Sequence, residues 1–383
     1  MNQENKDEDN NAPLVVGVAQ TISYIGSKRA LVTKIVGILN ETWSDLTTYV
    51  LVDAFFGSGS FFMGAVGSFA RGIVNDYELY SVCIACALVR KPPLLAYTSV
   101  PPPRAGFIHL EYSADFYSDK IVRPDGGQVR MFFSADNGAR IDGYRAEIAL
   151  TPDGPERRAA LGDLLVACDA VANTMGTYGA FSKDARETRD GVVGSVPRKG
   201  SAKTLCVRPI SAWNDATPWR PVNVMQGDAL KAAKLAPRNS VLYLDPPYVQ
   251  RGYGCNYFVL NVIADVDREP VLRGKTGIPR YEDEASYTRS LWNSRQGSIE
   301  SLRNILNTTP ATRVAMSYST DGLMKRGEIT DLFVAAGWTV REHSFEHPRY
   351  NAGRSNSKGL YELLFVGERR PTPASPQTAS GAQ

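Results

Sequence analysis

Asp245, Pro246, Pro247 and Tyr248 stand in a row at the end of an apolar run, in the stretch SVLYLDPPYVQRGYGCNYF (240–258). Strands seldom end this way, because two prolines remove two backbone donors and stiffen the chain. At a strand tip the tetrad offers a carboxylate, a rigid backbone carbonyl and an aromatic face side by side. A purely structural reading also exists, a Pro-Pro turn capped by Asp245.

A second set lies far upstream. DAFFGSGSF puts Asp53 at a strand end and Gly57 and Gly59 in the turn that follows. Glycines there let the backbone approach a ligand, and the next helix start offers free N–H groups. Asp76 ends the following strand, where an acid can bind two ribose hydroxyls. The pattern points to a nucleoside without saying which. Phe62 stands where G-x-G-x-x-G needs its third glycine, so the NAD fingerprint is not met. RGKTG (273–277) fails as a P-loop, because Glu269 replaces the first glycine.

These residues need elements to hold them. YVLVDAF (49–55) reads as a buried strand, GSGSFFMGAVGSFA (57–70) as a turn feeding a helix, and RGIVND (71–76) as the next strand. A helix is expected over 30–39. Alternation resumes downstream with strands at 240–245 and 312–319, a helix at 326–337, and strands at 339–345 and 359–367. Strand–helix alternation at both ends implies one α/β sheet interrupted by a long insertion. The expected parts are 14–91 with 220–368 as one domain and 92–219 as the insertion, with a helix near 158–172. The polar and Pro-rich tails, 1–13 and 369–383, are expected to stay disordered.

Of the 383 residues, 43% are hydrophobic and 22% charged, as in a soluble globular protein. No apolar run is long enough to span a bilayer and neither end resembles a signal peptide, so a cytoplasmic location without membrane partners is expected. A net charge of +3 is too small to identify a nucleic-acid partner. The Gly/Ser/Pro-rich segment 181–220 is locally basic, which suits phosphate contacts or a plain solvated loop. The five cysteines give no disulfide framework. Cys83 and Cys86 form one CxxC inside an apolar helical pattern, far from His343 and His347, so they read as core residues and no metal site is expected.

YIGSKRALVTKI (24–35), DAFFGSGSF and LDPPY (244–248), in that order, resemble the Dam-like DNA adenine (N6) methyltransferases, and within them the alpha group of restriction–modification methylases. Weaker echoes occur at 132–145, 173–181, 256–264, 317–323 and in YELLF (361–365). The resemblance implies a Rossmann-like class I S-adenosylmethionine-dependent methyltransferase sheet with an inserted, partly helical target-recognition region. Tyr24, Gly26 and Lys28 then match the motif around the methionine end of S-adenosyl-L-methionine. Asp53, Phe55, Gly57 and Gly59 match the cofactor turn, Asp76 the ribose acid, and Asp228 the acid beside the cofactor's adenine. Asp245, Pro246, Pro247 and Tyr248 match the catalytic motif in full.

The implied chemistry accounts for the tetrad. An aromatic amine is a poor nucleophile because its lone pair is delocalised into the ring. The Asp245 carboxylate and Pro246 carbonyl draw it toward tetrahedral geometry, while Tyr248 stacks on a flipped-out base. The expected substrate is duplex DNA, and a cognate restriction endonuclease is a natural partner. Lys183, Arg186, Arg198, Lys199 and Tyr178 are expected to face the DNA, with Tyr253 and Tyr257 on the same side of the site. RNA adenine or the cytosine 4-amino group are alternative targets. The former shares DPPY, whereas the latter more often goes with Ser in place of Asp. A non-catalytic DNA-binding relative is a third reading, which the intact tetrad and glycine turn oppose.

Overall fold

The computed structural model describes residues 21–92, 99–115, 129–182, 184–188, 191–196, 201, 203–214, 217–280, 290–346 and 361–369. Its frame is a sheet of seven strands: β1 (Val50–Asp53), β2 (Arg71–Asp76), β3 (Val222–Gln226), β4 (Ser240–Leu244), β5 (Arg313–Ser319), β6 (Trp338–Glu346) and β7 (Tyr361–Arg369). Their spatial order is β6-β7-β5-β4-β1-β2-β3. All neighbours pair in parallel except β7, which runs antiparallel to both β5 and β6. The sheet therefore has the mostly parallel, Rossmann-like order expected of a class I methyltransferase fold.

Parallel strands are covered on both faces, so they read as continuous apolar runs. Every residue of β1 and of β4 is buried. Successive side chains alternate between two cores: Leu51, Val241 and Tyr243 join one apolar cluster, while Val50, Val52, Leu242 and Leu244 join the other. On the first face lie α1 (Val32–Thr42), α2 (Ser60–Ala65) and α3 (Leu79–Val89), with the helices of the inserted segment beyond them: α4 (Phe107–Tyr112), α5 (Ala135–Ile148) and α6 (Pro155–Val171). The second face is covered by α7 (Ala229–Leu235), and later in the chain by α10 (Arg295–Thr308) and α11 (Arg326–Ala335). Between β4 and α10 come α8 (Tyr253–Asn256) and α9 (Phe258–Ala264). Among the described residues, no helix is long and apolar enough to cross a membrane.

The insertion is built into the first core. Residues 80–88 of α3 are all buried, because the helix is enclosed by the sheet on one side and α6 on the other. At Gly162 of α6 the two backbones nearly touch: an added Cβ would stand 2.2 Å from the Cys83 carbonyl oxygen. Cys83 and Cys86 are buried here, and burial pushes the Cys86 thiol up to about 11.

Arg145 of α5 makes a second joint. Its guanidinium donates to the carbonyls of Val262, Ile263 and Asp265 at 3.3, 3.1 and 3.0 Å. It thereby satisfies acceptors that the end of α9 leaves open. Asp142, one turn earlier, accepts from the Ile108 and His109 N–H groups and caps α4. Beyond α6 the insertion adds an antiparallel pair, Asp184–Thr188 with Gly191–Val196.

Because α6 meets a backbone carbonyl of α3 at Gly162, Gly162→Leu is expected to destabilise the protein by about 1–3 kcal/mol. Urea unfolding measures this, and an unchanged midpoint would show that the α3–α6 contact is looser than described.

Candidate active site

Three acids stand at the carboxyl ends of neighbouring parallel strands: Asp76 after β2, Asp53 after β1 and Asp245 after β4. The chain order reverses between β1 and β4, since β2 and β3 lie to one side and β4 and β5 to the other. Open α/β sheets bind ligands at such a switch point. A cavity of about 380 Å³ opens there, within the range of small-molecule sites.

The glycine turn forms its floor. Gly57 and Gly59 have φ of 56° and 76°, a region that L side chains rarely adopt. A Cβ on Gly57 would press on the Tyr24 ring at 3.0 Å, and one on Gly59 would overlap Phe56 at 2.6 Å. Asp76 accepts the Gly57 N–H at 2.7 Å and the Glu78 N–H at 2.9 Å. Burial raises its carboxyl, and those N–H bonds pull it back. Asp76 itself lines the cavity. Asp228 reaches the same wall of the cavity while capping α7 through the Leu230 N–H. Phe55 lines the cavity edge-on to Trp292, with ring centroids 5.3 Å apart. Acid, glycine turn and aromatic wall together suit a nucleoside.

Asp53 lies beneath this surface, 1% exposed, and accepts the Phe55 N–H at 3.2 Å. Burial, with repulsion from Asp245 and Asp76, holds its carboxyl well above the ordinary range. It shapes the turn from below. Gly59 likewise acts through packing, as the residue before α2.

The N-terminal motif folds over the opposite side. Tyr24 stacks against Tyr253 and Tyr257 with centroids 5.2 and 4.9 Å apart. Tyr257 accepts the Ile25 N–H and Tyr253 donates to the Ile25 carbonyl. Segment 253–257, just after the tetrad, therefore clamps the motif. Gly26, with φ 75°, lets the chain pass the Tyr248 hydroxyl, which would stand 3.0 Å from an added Cβ. Lys28 lines the cavity, but its ammonium is directed at Asp245 (2.7 Å), at Glu362 (3.2 Å) and at the Gly26 carbonyl (3.1 Å).

That ion cluster is buried, with Lys28 and Glu362 side chains each 4% exposed. Burial alone would lower the Lys28 ammonium, but Asp245 and then Glu362 more than offset it, so it is raised well above its ordinary value. Burial pushes Asp245 up to about 6, with Lys28 opposing and Glu362 adding to the rise. Tyr248 stands next to the cluster. Its ring lies 5.8 Å from the Lys28 ammonium and edge-on to Tyr318.

Two expectations need correction. Tyr178 does not face DNA: it is fully buried, donates to Asp169 of α6, and its N–H donates to the Asn256 carbonyl. Tyr257 is also fully buried, enclosed by Tyr24, Tyr80, Tyr178 and Tyr253, with its hydroxyl accepting the Ile25 N–H. Tyr253 sits at the cavity wall. Lys183, Arg198 and Lys199 lie outside the described residues, and Arg186 is described only as backbone in the strand Asp184–Thr188. The sequence reading missed Glu362, Trp292 and Asn293. Of these, Glu362 had a legible signal, as an acid near the start of an apolar strand.

Since Lys28 holds Asp245 down, Lys28→Met is expected to raise the Asp245 midpoint above about 6. Carbon-detected NMR titration of the carboxyl reads this directly, and an unmoved midpoint would mean that the pair does not form in solution.

The family model for D12 class N6 adenine-specific DNA methyltransferases matches residues 24–190 and 220–320. The chain is 29% identical over 368 residues to the Type II methyltransferase M.NlaIII of Neisseria lactamica, covering 91% of this chain and 99% of that protein. It is 29% identical over 340 residues to the Type II methyltransferase M.CviAII of Paramecium bursaria Chlorella virus 1, covering 84% and 91%. It is 26% identical over 387 residues to the modification methylase LlaI of Lactococcus lactis subsp. lactis, covering 94% of this chain and 57% of that protein. With the three motifs meeting at one cavity and the family model spanning most of the sequence, the chain belongs to the D12 class of N6 adenine-specific DNA methyltransferases.

Proposed function

We propose that the chain methylates an adenine flipped out of duplex DNA, using S-adenosylmethionine held by Tyr24, Gly26, Phe55, Gly57, Asp76 and Asp228. The observation that carries this reading is the junction of the nucleoside-fitting cavity with Asp245 at one strand end. When bound, S-adenosylmethionine supplies a methyl group already activated by its sulfonium.

Asp245 and the Pro246 carbonyl act as acceptors for the two N–H groups of the target amine, and turn its lone pair out of conjugation. Positioning of this kind, with charge stabilisation, supplies most of the acceleration. The amine would gain positive charge as its N–C bond forms and the methyl–sulfur bond breaks, the pair staying on sulfur as a neutral thioether. The surplus proton then passes by way of the Asp245 carboxylate to water, so that carboxylate must be ionised at the start. Tyr248 stacks on the extruded base, a contact worth about 1–3 kcal/mol. Lys183, Arg186, Arg198 and Lys199 supply phosphate contacts. The relatives' description as Type II methyltransferases supports a restriction–modification role with a cognate endonuclease, exercised in the cytoplasm.

Incubation with labelled S-adenosylmethionine and mixed DNA, followed by mapping of the modified base, tests the reading; label in RNA alone would overturn it. Asp245→Ala is expected to lower kcat at least about 100-fold while the fold persists, and full activity would sink the mechanism. Because Asp245 titrates near 6 rather than near 4, activity is expected to fall as pH drops through about 6. An acid limb near 4 in a pH–rate profile would contradict that. Arg198→Ala is expected to weaken DNA binding and to reduce its salt slope by about 1; an unchanged slope would refute the phosphate contact.

A further inference from the structure

Glu362 is an acid in an unusual place. It is the second residue of β7, pairs in register with Ser319 of β5 and Phe345 of β6, and is 3% exposed. The next six residues, Leu363 to Glu368, begin with an unbroken buried apolar run. A buried carboxylate costs several kcal/mol unless it is compensated, and its ammonium partner Lys28 is shared with Asp245. Glu362 Oε1 accepts no hydrogen bond among the described residues, although the Lys28 ammonium stands 3.2 Å away. The third contact of that ammonium is the Gly26 carbonyl at 3.1 Å. The ammonium thus donates to one neutral carbonyl and forms ion pairs with two carboxylates.

The charge count is what gives the arrangement meaning. Asp245 with Lys28 alone is a neutral pair, and a neutral pair offers little to an amine that becomes positive as it is methylated. With Glu362 added, the cluster carries one net negative charge.

We propose that Glu362 is a positioning residue of the methyl-transfer site, which anchors the Lys28 ammonium beside Asp245 and keeps the cluster net negative next to the reacting amine. The inference rests on the methyl-transfer reading of Asp245 given above, and extends the site to the far strand of the sheet. Glu362 acts through Lys28 and Asp245 and touches no substrate.

The other ionisable groups around Asp245 are accounted for. Asp53 faces it from β1, Tyr243 from β4, and Tyr248 and Tyr253 from the segment after β4. Each lacks the means to replace Glu362: the tyrosines are held neutral by burial, and Asp53 has its own carboxyl raised. Repulsion from Glu362 contributes to the raised Asp245 carboxyl, which gives the proposal a signed readout.

The test compares Glu362→Gln and Glu362→Asp with the unsubstituted protein, using carbon-detected NMR titration of Asp245 without ligand and a pH profile of kcat. Glu362→Gln is expected to move the Asp245 midpoint to lower pH and to lower kcat about tenfold, with KM for DNA unchanged. Glu362→Asp keeps the charge and is expected to recover most of both. A kcat loss without movement of the midpoint, or equal losses in the two variants, would reduce Glu362 to a structural role and overturn the proposal. Should Glu362→Gln not fold, Lys28→Met and Lys28→Met/Glu362→Gln are compared instead: a lower Asp245 midpoint in the double variant supports the proposal, and equal midpoints overturn it. If the unsubstituted protein proved inactive on DNA while the midpoint still moved, the methyl-transfer reading would fail and the ion cluster would stand.

Discussion

A parallel sheet brings the carboxyl ends of its strands to one edge, and here three of those ends carry an acid. Asp76, Asp53 and Asp245 sit on adjacent strands in a partly dry environment. Like charges in that position destabilise one another, so each must be compensated in its own way. Asp76 is compensated by the Gly57 N–H of the glycine turn and the Glu78 N–H at the start of α3, and Asp53 by the Phe55 N–H. Asp245 receives the Lys28 ammonium, carried in from the N-terminal motif. The position of Lys28 thus explains why a segment more than two hundred residues upstream must fold onto the catalytic strand.

The same logic joins the insertion to the catalytic half. Asp169 of α6 accepts the Ser23 N–H at 2.7 Å and the Tyr178 hydroxyl at 3.3 Å. Tyr178 leads on to Asn256, and Tyr257 to Ile25. A short path of hydrogen bonds and stacked rings therefore runs from the insertion through segment 253–257 to the N-terminal motif. Each member is satisfied by another, which fixes their mutual placement more tightly than apolar packing alone.

Much of this was legible from residues. The strands at 71–76 and 240–245, the helix at 326–337 and the strand beginning at 359 appear at or within about two residues of their expected places, because their apolar periodicity is strong. The elements of the cavity followed from local pattern too, since a glycine turn after a buried strand dictates its own backbone. Tyr178 and Tyr257 were misread for a common reason. Their burial comes from residues distant in sequence, which local pattern does not show: Phe132 packs on Tyr178, and Tyr24 and Tyr80 pack on Tyr257. The link between Lys28 and Glu362 was hidden because sequence spacing carries no information on how the turn at Lys28 meets a strand more than three hundred residues later.

The insertion occupies the crossover between β2 and β3, two parallel neighbours at one side of the sheet. Topologically it is an enlarged loop, whose entry and exit stay put whatever its length. Its content can therefore change while the strand-end acids stay undisturbed. The constraint on such exchange is steric and local: any replacement must present a glycine-sized surface where Gly162 passes the Cys83 carbonyl. A shared core makes the insertion replaceable in content but keyed in shape.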